Sequence, residues 1–370
     1  MEDQNWYEIK DTKTVITPSL LVYPNRIRHN IRNMLKMARG TDFLRPHIKT
    51  HKTAEIIKMQ LEEGIYKFKC ATIAEAELLA LCNAPDILLA MQPIGANIER
   101  FFKLMETYPK SKFSTLVDTP HILNAMAEMA RSKAIVISLW MDINNGMHRT
   151  GILPNEKAVD LYRQMDTNPN VEAKGLHVYD GHIRNTDAVE RKKNCDKAFE
   201  SVLVLKNKIA ANGITVKAII AGGSPSFPFH ATRDGVETSP GTTLLWDAGY
   251  GGLFPEMGFL PAAVLMTRII SKPEKNILCL DLGHKSVAPE MPFPRVKFFG
   301  MSDCSQKGQS EEHLVLECSN SEKHHVGEVV YAIPMHICPT VAKYESLQVV
   351  FEGKISASWK VAARNQSITI

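Results

Sequence analysis

The 370-residue chain contains no apolar run near the roughly 20 residues that span a bilayer. It begins Met-Glu-Asp-Gln-Asn, with none of the basic-then-apolar character of a secretory leader. No membrane partner is expected, and the cytoplasm is the expected location. Its seven cysteines lie at irregular spacings with no CxxC pair, so a disulfide framework and a zinc ribbon are both excluded and reduced thiols are expected. Neither sign of charge is in large excess: 44 Lys plus Arg against 40 Asp plus Glu leave +4. The densest basic run, Arg191-Lys192-Lys193, reads as a solvated helix face rather than a nucleic-acid stripe. Internal repeats and low-complexity tracts are absent as well.

What is present is an ordinary globular composition, 44% hydrophobic and 23% charged. Short β-branched runs alternate with amphipathic stretches, the pattern of successive βα units. Candidate strands are Phe43 to Lys49, Phe68 to Thr72, Ile87 to Ala90, Phe113 to Val117, Ala134 to Asp142, Lys174 to Tyr179, Val216 to Ala221 and Thr243 to Trp246. About eight such strands close a (β/α)8 barrel. After Gly258 the helical periods give way to short β-like runs, which predicts a smaller, mostly-β C-terminal domain. The expected boundaries are 18–257 for the barrel and 258–370, joined by 1–17, for the β domain. The segment around Ser19 to Val22 has no evident helix partner and is assigned to the second domain as an alternative.

Barrel enzymes build their sites from the loops that follow the strands. Arg45-Pro46-His47-Ile48-Lys49-Thr50-His51-Lys52 ends the first strand, and a partly desolvated lysine there suits Schiff-base chemistry. Lys49 is the candidate and Lys52 its competitor. The fifth strand ends near Asn145-Gly146-Met147-His148-Arg149-Thr150-Gly151, where Arg149 suits a phenolate or carboxylate. Tyr179, at the end of the sixth, could stack on an aromatic cofactor, while His177 on the same face reads as a satisfied core residue. Gly222-Gly223-Ser224 and Ser239-Pro240-Gly241-Thr242 offer backbone N–H groups and hydroxyls of the kind that bind phosphate. In the second domain His336 and Cys338 form a borderline-soft donor pair suited to Zn²⁺, whereas Lys323-His324-His325 reads as surface.

Three of these stretches, Arg45 to Lys52, Asn145 to Gly151 and Pro334-Met335-His336-Ile337-Cys338, together resemble the D-threonine aldolase and D-serine dehydratase group, which are fold-type III pyridoxal phosphate enzymes related to alanine racemase. The resemblance implies a pyridoxal 5'-phosphate barrel with Lys49 as the cofactor lysine, Arg149 at the phenolic oxygen and Tyr179 against the pyridine face. It implies phosphate contacts from Gly223, Ser224, Gly241 and Thr242, a further cofactor-side tyrosine at Tyr250, and a divalent metal (Zn, or Mn or Mg) on His336 and Cys338. Glu312 and His313 resemble residues that lie near that metal. Ser239 stands where racemases carry an arginine, which argues against racemisation. In the aldolase branch the second metal ligand can be aspartate instead of Cys338, which keeps dehydration open.

The resulting expectation is a metal-assisted lyase acting on D-3-hydroxy amino acids, by retro-aldol cleavage to glycine and an aldehyde. The alternatives are a D-serine or D-3-hydroxyaspartate type dehydratase using the same site, and a non-catalytic pyridoxal phosphate carrier. The expected partner is a small D-amino acid, not nucleic acid, and the resemblance implies a head-to-tail homodimer.

Overall fold

The computed structural model describes residues 5–370. The chain opens with a short strand, β1 (Ser19–Val22), and a helix over Pro24–Ala38. Seven further strands follow: β2 (Lys67–Cys70), β3 (Asp86–Leu89), β4 (Lys112–Val117), β5 (Ile137–Ile143), β6 (Val171–Val178), β7 (Ala218–Ala221) and β8 (Val236–Thr238). The remainder carries β9 (Ala263–Ser271), β10 (Ile277–Leu280), β11 (Val296–Phe298), β12 (Cys304–Gln309), β13 (Leu314–Cys318), β14 (Val329–Pro334), β15 (Ser346–Phe351) and β16 (Lys354–Lys360). Two compact units result, one of residues 34–49, 57–241 and 365–370, the other of residues up to 33, 50–56 and 242–364.

In the first unit β2 to β8 form one parallel sheet in sequence order. Its two edges meet through residues 43–47. Leu44 bridges Thr238 and His47 bridges Lys69, both in parallel sense. Arg45 N donates to Thr238 O (2.8 Å), Thr238 N to Phe43 O (2.8 Å) and Lys69 N to Pro46 O (2.9 Å). This segment is the eighth stave, and the (β/α)8 reading holds. Pro46 has no N–H to donate, which limits the stave to isolated bridges rather than a regular strand. Arg45, 2% exposed, reinforces the seam, with Nε on Glu237 (2.7 Å) and Nη1 on Asp86 (2.6 Å). The last barrel strand is β8, not Thr243 to Trp246, where Thr242–Leu244 turns as a 3-10 helix. The single apolar residue of Val236-Glu237-Thr238 left it without a strand signature.

The helices follow their local signals. Thr72 Oγ1 accepts from Glu75 N (3.1 Å) while Glu75 reaches back to Ala71 N (2.6 Å), starting the helix Ile73–Leu81 much as a capping box does. Pro120 opens the helix Pro120–Ser132 behind the N-cap Thr119. The helix Pro24–Ala38, which the sequence reading left unassigned, buries Ile27, Ile31 and Met34 at four- and three-residue intervals.

In the second unit the sheet order is β12-β13-β10-β9-β1-β15-β16, with β14 pairing both β9 and β11. β1 therefore lies between β9 and β15, with Leu20, Leu21 and Val22 fully buried. Three strands had no apolar pattern to announce them. β11 is three residues long, β12 is polar throughout and borrows its ladder from β13, and β16 returns on β15 through Glu352-Gly353, both at positive φ (50° and 71°). Cys304 and Cys318 face each other across β12 and β13 and are joined in a disulfide, which corrects the all-reduced expectation for two of the seven cysteines. No described helix is long and apolar enough to cross a membrane.

Candidate active site

The barrel unit gathers charge around one aromatic ring. Tyr179 follows β6, and the Arg149 guanidinium carbon lies 4.5 Å from its ring centroid. Lys49 Nζ lies 5.8 Å from the same centroid and Lys69 Nζ, from β2, also 5.8 Å. The ring sits where it does because two glycines leave room. A Cβ on Gly181 would come within 2.4 Å of the tyrosine hydroxyl, and one on Gly223 within 3.0 Å of the ring edge. Lys49 closes the turn after the first stave, its N–H donating to His47 Nδ1 at 3.2 Å. Lys52 belongs to the other unit, with φ 53° and its carbonyl accepting from Ala363.

Behind the ring runs a polar layer. Asp142 Oδ1 meets His177 Nδ1 at 2.7 Å, and Asp142 Oδ2 accepts from Gln92 Nε2 at 3.0 Å. Burial pushes the Asp142 carboxyl up, but its hydrogen bond and charge interaction with His177 prevail and hold it below the usual range. Burial, with Lys69 next, pushes His177 down to about 4. The expectation of a satisfied histidine is half met, since buried His177 Nε2 has no hydrogen-bond partner among the described residues. The same is true of the Asn145 amide and Ser239 Oγ.

The two glycine-serine loops meet directly, with Gly241 N donating to Ser224 Oγ at 3.3 Å. Gly223 N donates to Ser226 Oγ (3.2 Å), which in turn donates to Asp180 Oδ1 (2.6 Å). Asp180 also holds His230 Nε2 (2.8 Å), whose Nδ1 accepts from Arg233 Nε at 3.2 Å. Asp180, His230 and Cys195 lie close enough to hold a metal ion. Arg233 already supplies the positive charge there, and burial pushes the Cys195 thiol up to about 12, far from the thiolate a metal takes. The trio is a hydrogen-bonded brace under Tyr179 and the 222–226 loop, which sequence reading missed because its members lie up to 50 residues apart. Asp180→Ala, which leaves His230 and Ser226 unpaired in the core, is expected to cost about 3 kcal/mol, read as a lower urea midpoint with an unchanged slope.

The second unit holds the remaining candidates. Thr242 starts the 3-10 helix, its Oγ1 3.4 Å from Cys338 Sγ, and Thr50 Oγ1 lies 3.1 Å from the same sulfur. His336 is the N-cap of the short helix Ile337–Val341, so Cys338 sits in its first turn. The two side chains still meet. The hydrogen bond with Cys338 pushes His336 up to about 9 against burial, with Glu290 at 2.5 Å from Nδ1 adding to it. Tyr250 lies in the helix Ala248–Leu253, its ring tilted on Trp246 at 5.6 Å. Asp247, which sequence reading passed over, joins these pieces: Oδ1 accepts from Tyr250 N (2.8 Å) and Oδ2 from Ile337 N (3.0 Å). Burial pushes its carboxyl up to about 6. Glu312 pairs instead with Lys285 (3.0 Å), and His313 Nδ1 lies near Ser310 (3.5 Å), both at the surface. His324, read as surface, is 7% exposed and holds Glu328 at 2.8 Å.

Residues 22–248 match the alanine racemase N-terminal domain. The chain belongs to that family. Residues 262–350 match the serine dehydratase domain, so the family's barrel is here coupled to a second recognised region. Among curated relatives, D-threonine aldolase from Arthrobacter sp is 27% identical over 360 residues, 95% of this chain and 94% of that protein. D-serine dehydratase from Dictyostelium discoideum is 25% identical, covering 92% of this chain and 94% of that protein. The solved D-threonine aldolase from Filomicrobium marinum superposes with a TM-score of 0.87 at 23% identity over 95% of both chains. This member of the alanine racemase family is a pyridoxal phosphate-dependent lyase. The barrel unit fits the cofactor on its own terms. Cations group around an aromatic ring, and the same unit holds buried polar atoms of Asn145, His177 and Ser239 with no hydrogen-bond partner among the described residues. His336 and Cys338 put a nitrogen and a sulfur donor side by side, a pair that would take a borderline-soft divalent ion only in exchange for the proton that Cys338 and Glu290 now hold on the imidazole.

Proposed function

We propose that this chain is a divalent-metal-assisted lyase that cleaves the Cα–Cβ bond of D-3-hydroxy amino acids, giving glycine and an aldehyde. The observation that carries this reading is the grouping of Lys49 and Arg149 on the Tyr179 ring within the barrel. The aldolase relatives and the barrel-plus-second-domain architecture support it. Pyridoxal phosphate, when bound, supplies an electron sink for the pair released at the substrate Cα.

The protein's own residues do the rest. The Lys49 amine would hold the cofactor through its aldehyde carbon and, once exchanged for a substrate amine, would be free to carry a proton. Arg149 would take the phenolic oxygen and Tyr179 the pyridine ring of the cofactor, with Tyr250 as a further cofactor-side tyrosine. Gly223, Ser224, Gly241 and Thr242 would hold the phosphate through N–H groups and hydroxyls. His336 and Cys338 would hold the divalent ion, whose Lewis acidity makes a β-hydroxyl easier to deprotonate or to expel.

Dehydration is the second reading, favoured by the thiol at Cys338 and by the dehydratase relative. There Lys49 takes the α-proton and the hydroxyl departs. Incubation of the purified protein with D-threonine, pyridoxal phosphate and a divalent ion separates the readings. Glycine plus acetaldehyde is the expected result. Formation of 2-oxobutanoate and ammonia would assign a dehydratase, and a carrier would give neither product. A head-to-tail homodimer is part of the same proposal, and light scattering at twice the chain mass is its expected signature.

A further inference from the structure

Lys69 has no role in the reading above, yet it is the most unusual charged group in the barrel. It lies on β2, 4% exposed, next to the seam where His47 bridges it. Its strand neighbours Phe68 and Cys70 are fully buried. Its Nζ has no ion pair or hydrogen bond among the described residues. The charged groups that act on it come from several elements: Lys49 and Arg45 on the closing segment, Arg149 after β5, and Asp142 on β5. It acts in turn on His177 of β6.

Three of those four charged groups are cationic. The one carboxylate, Asp142, is already held by His177 and Gln92. A buried amine among cations has two ways to persist: it gives up its proton, or an anion arrives. Burial, then Lys49, pushes Lys69 down to about 7, so the protein alone takes the first way near neutral pH. The ring that Lys69 faces is the same one that Lys49 and Arg149 face, at 5.8, 5.8 and 4.5 Å from its centroid. Lys49 and Arg149 also act electrostatically on Lys69, so an anion bound by those two comes within reach of its charge as well.

We propose that Lys69 is a second, non-covalent cofactor lysine, which supplies its ammonium to an anionic oxygen of pyridoxal phosphate and shares that charge with Arg149. This rests on the cofactor assignment above. Loading the cofactor then brings a proton to Lys69, because the new negative charge favours the ammonium form. The cation beside the cofactor in turn makes its lysine linkage easier to deprotonate.

The test compares the holoenzyme with Lys69→Met and Lys69→Arg. The visible absorbance of the lysine-bound cofactor is followed against pH, and the cofactor dissociation constant is measured by equilibrium dialysis. Lys69→Met is expected to raise the pH midpoint of the band by about one unit and weaken cofactor binding about 10- to 100-fold, the range for one charge-assisted hydrogen bond. Lys69→Arg is expected to return both values most of the way. Because methionine removes a desolvated charge from the core, the apo Lys69→Met protein should melt cooperatively at or above the wild-type temperature. A purely structural lysine would leave the midpoint where it was. Wild-type midpoint and affinity in a folded Lys69→Met protein would overturn the proposal and leave the cofactor assignment standing. Loss of the band in Lys69→Met with its retention in Lys49→Ala would overturn it the other way, making Lys69 the covalent residue. No visible band in the wild type would overturn both.

Discussion

Lys49→Ala is expected to abolish the visible absorbance of the lysine-bound cofactor and to lower turnover of D-3-hydroxy amino acids by at least about 10³-fold. Two losses combine. The covalent attachment disappears, so the substrate amine no longer meets a carbonyl already activated for exchange. A positioned proton carrier also disappears, which by itself is worth about 10²- to 10⁴-fold. The variant should fold, since the side chain is only partly buried and the turn that carries it is held by the backbone bridges at Leu44 and His47. Absorbance that survives in Lys49→Ala and vanishes in Lys52→Ala would move the attachment to the competitor. Lys49 faces the Tyr179 ring that Arg149 also faces, which is why the first outcome is expected.

The second large effect concerns the metal. His336→Ala, or chelation of the wild type, is expected to lower turnover by about 10²-fold or more while leaving the cofactor band intact. A Lewis acid at a developing oxyanion contributes several kcal/mol, and about 1.4 kcal/mol corresponds to each factor of ten. Re-addition of Zn²⁺ or Mn²⁺ should restore the chelated wild type and fail to restore His336→Ala. Turnover that is indifferent both to chelator and to His336→Ala would remove the metal from the account. The split between band and activity matters, because a general unfolding would remove both.

The legible parts of this protein were those that local chemistry encodes. The barrel helices announced themselves through caps such as Thr72 and Thr119, and Lys49, Arg149 and Tyr179 stood out because polar residues follow apolar strands at the end where barrels place their sites. The illegible parts depend on distant partners. β8 was misplaced because Val236-Glu237-Thr238 is a strand only by virtue of β7 and the closing stave. Likewise β12 carries no apolar alternation and exists through its ladder with β13, and the Cys304–Cys318 pairing follows from that register rather than from any spacing rule. Asp247 and Asp180 were passed over because an acid beside an aromatic looks like any turn until its hydrogen bonds to Ile337 and Ser226 are seen. Lys69 escaped notice for the opposite reason. The candidate strand Phe68 to Thr72 gave no sign that its lysine turns inward, whereas Lys69 lies in the barrel unit's buried interior.

The seam closed by residues 43–47 has a consequence for how the protein comes into being. Arg45 and Glu237 are 192 positions apart, so the loop that must be shut before this stave is held is almost the whole barrel. Closure of so long a loop carries a large entropic cost and belongs late in folding, after the adjacent parallel pairs have formed. On a ribosome Lys49 emerges long before Thr238, the residue on which its turn is anchored. A chain that stops short of Thr238 therefore lacks the bridges that fix Lys49, and cofactor uptake is expected only once the barrel has closed.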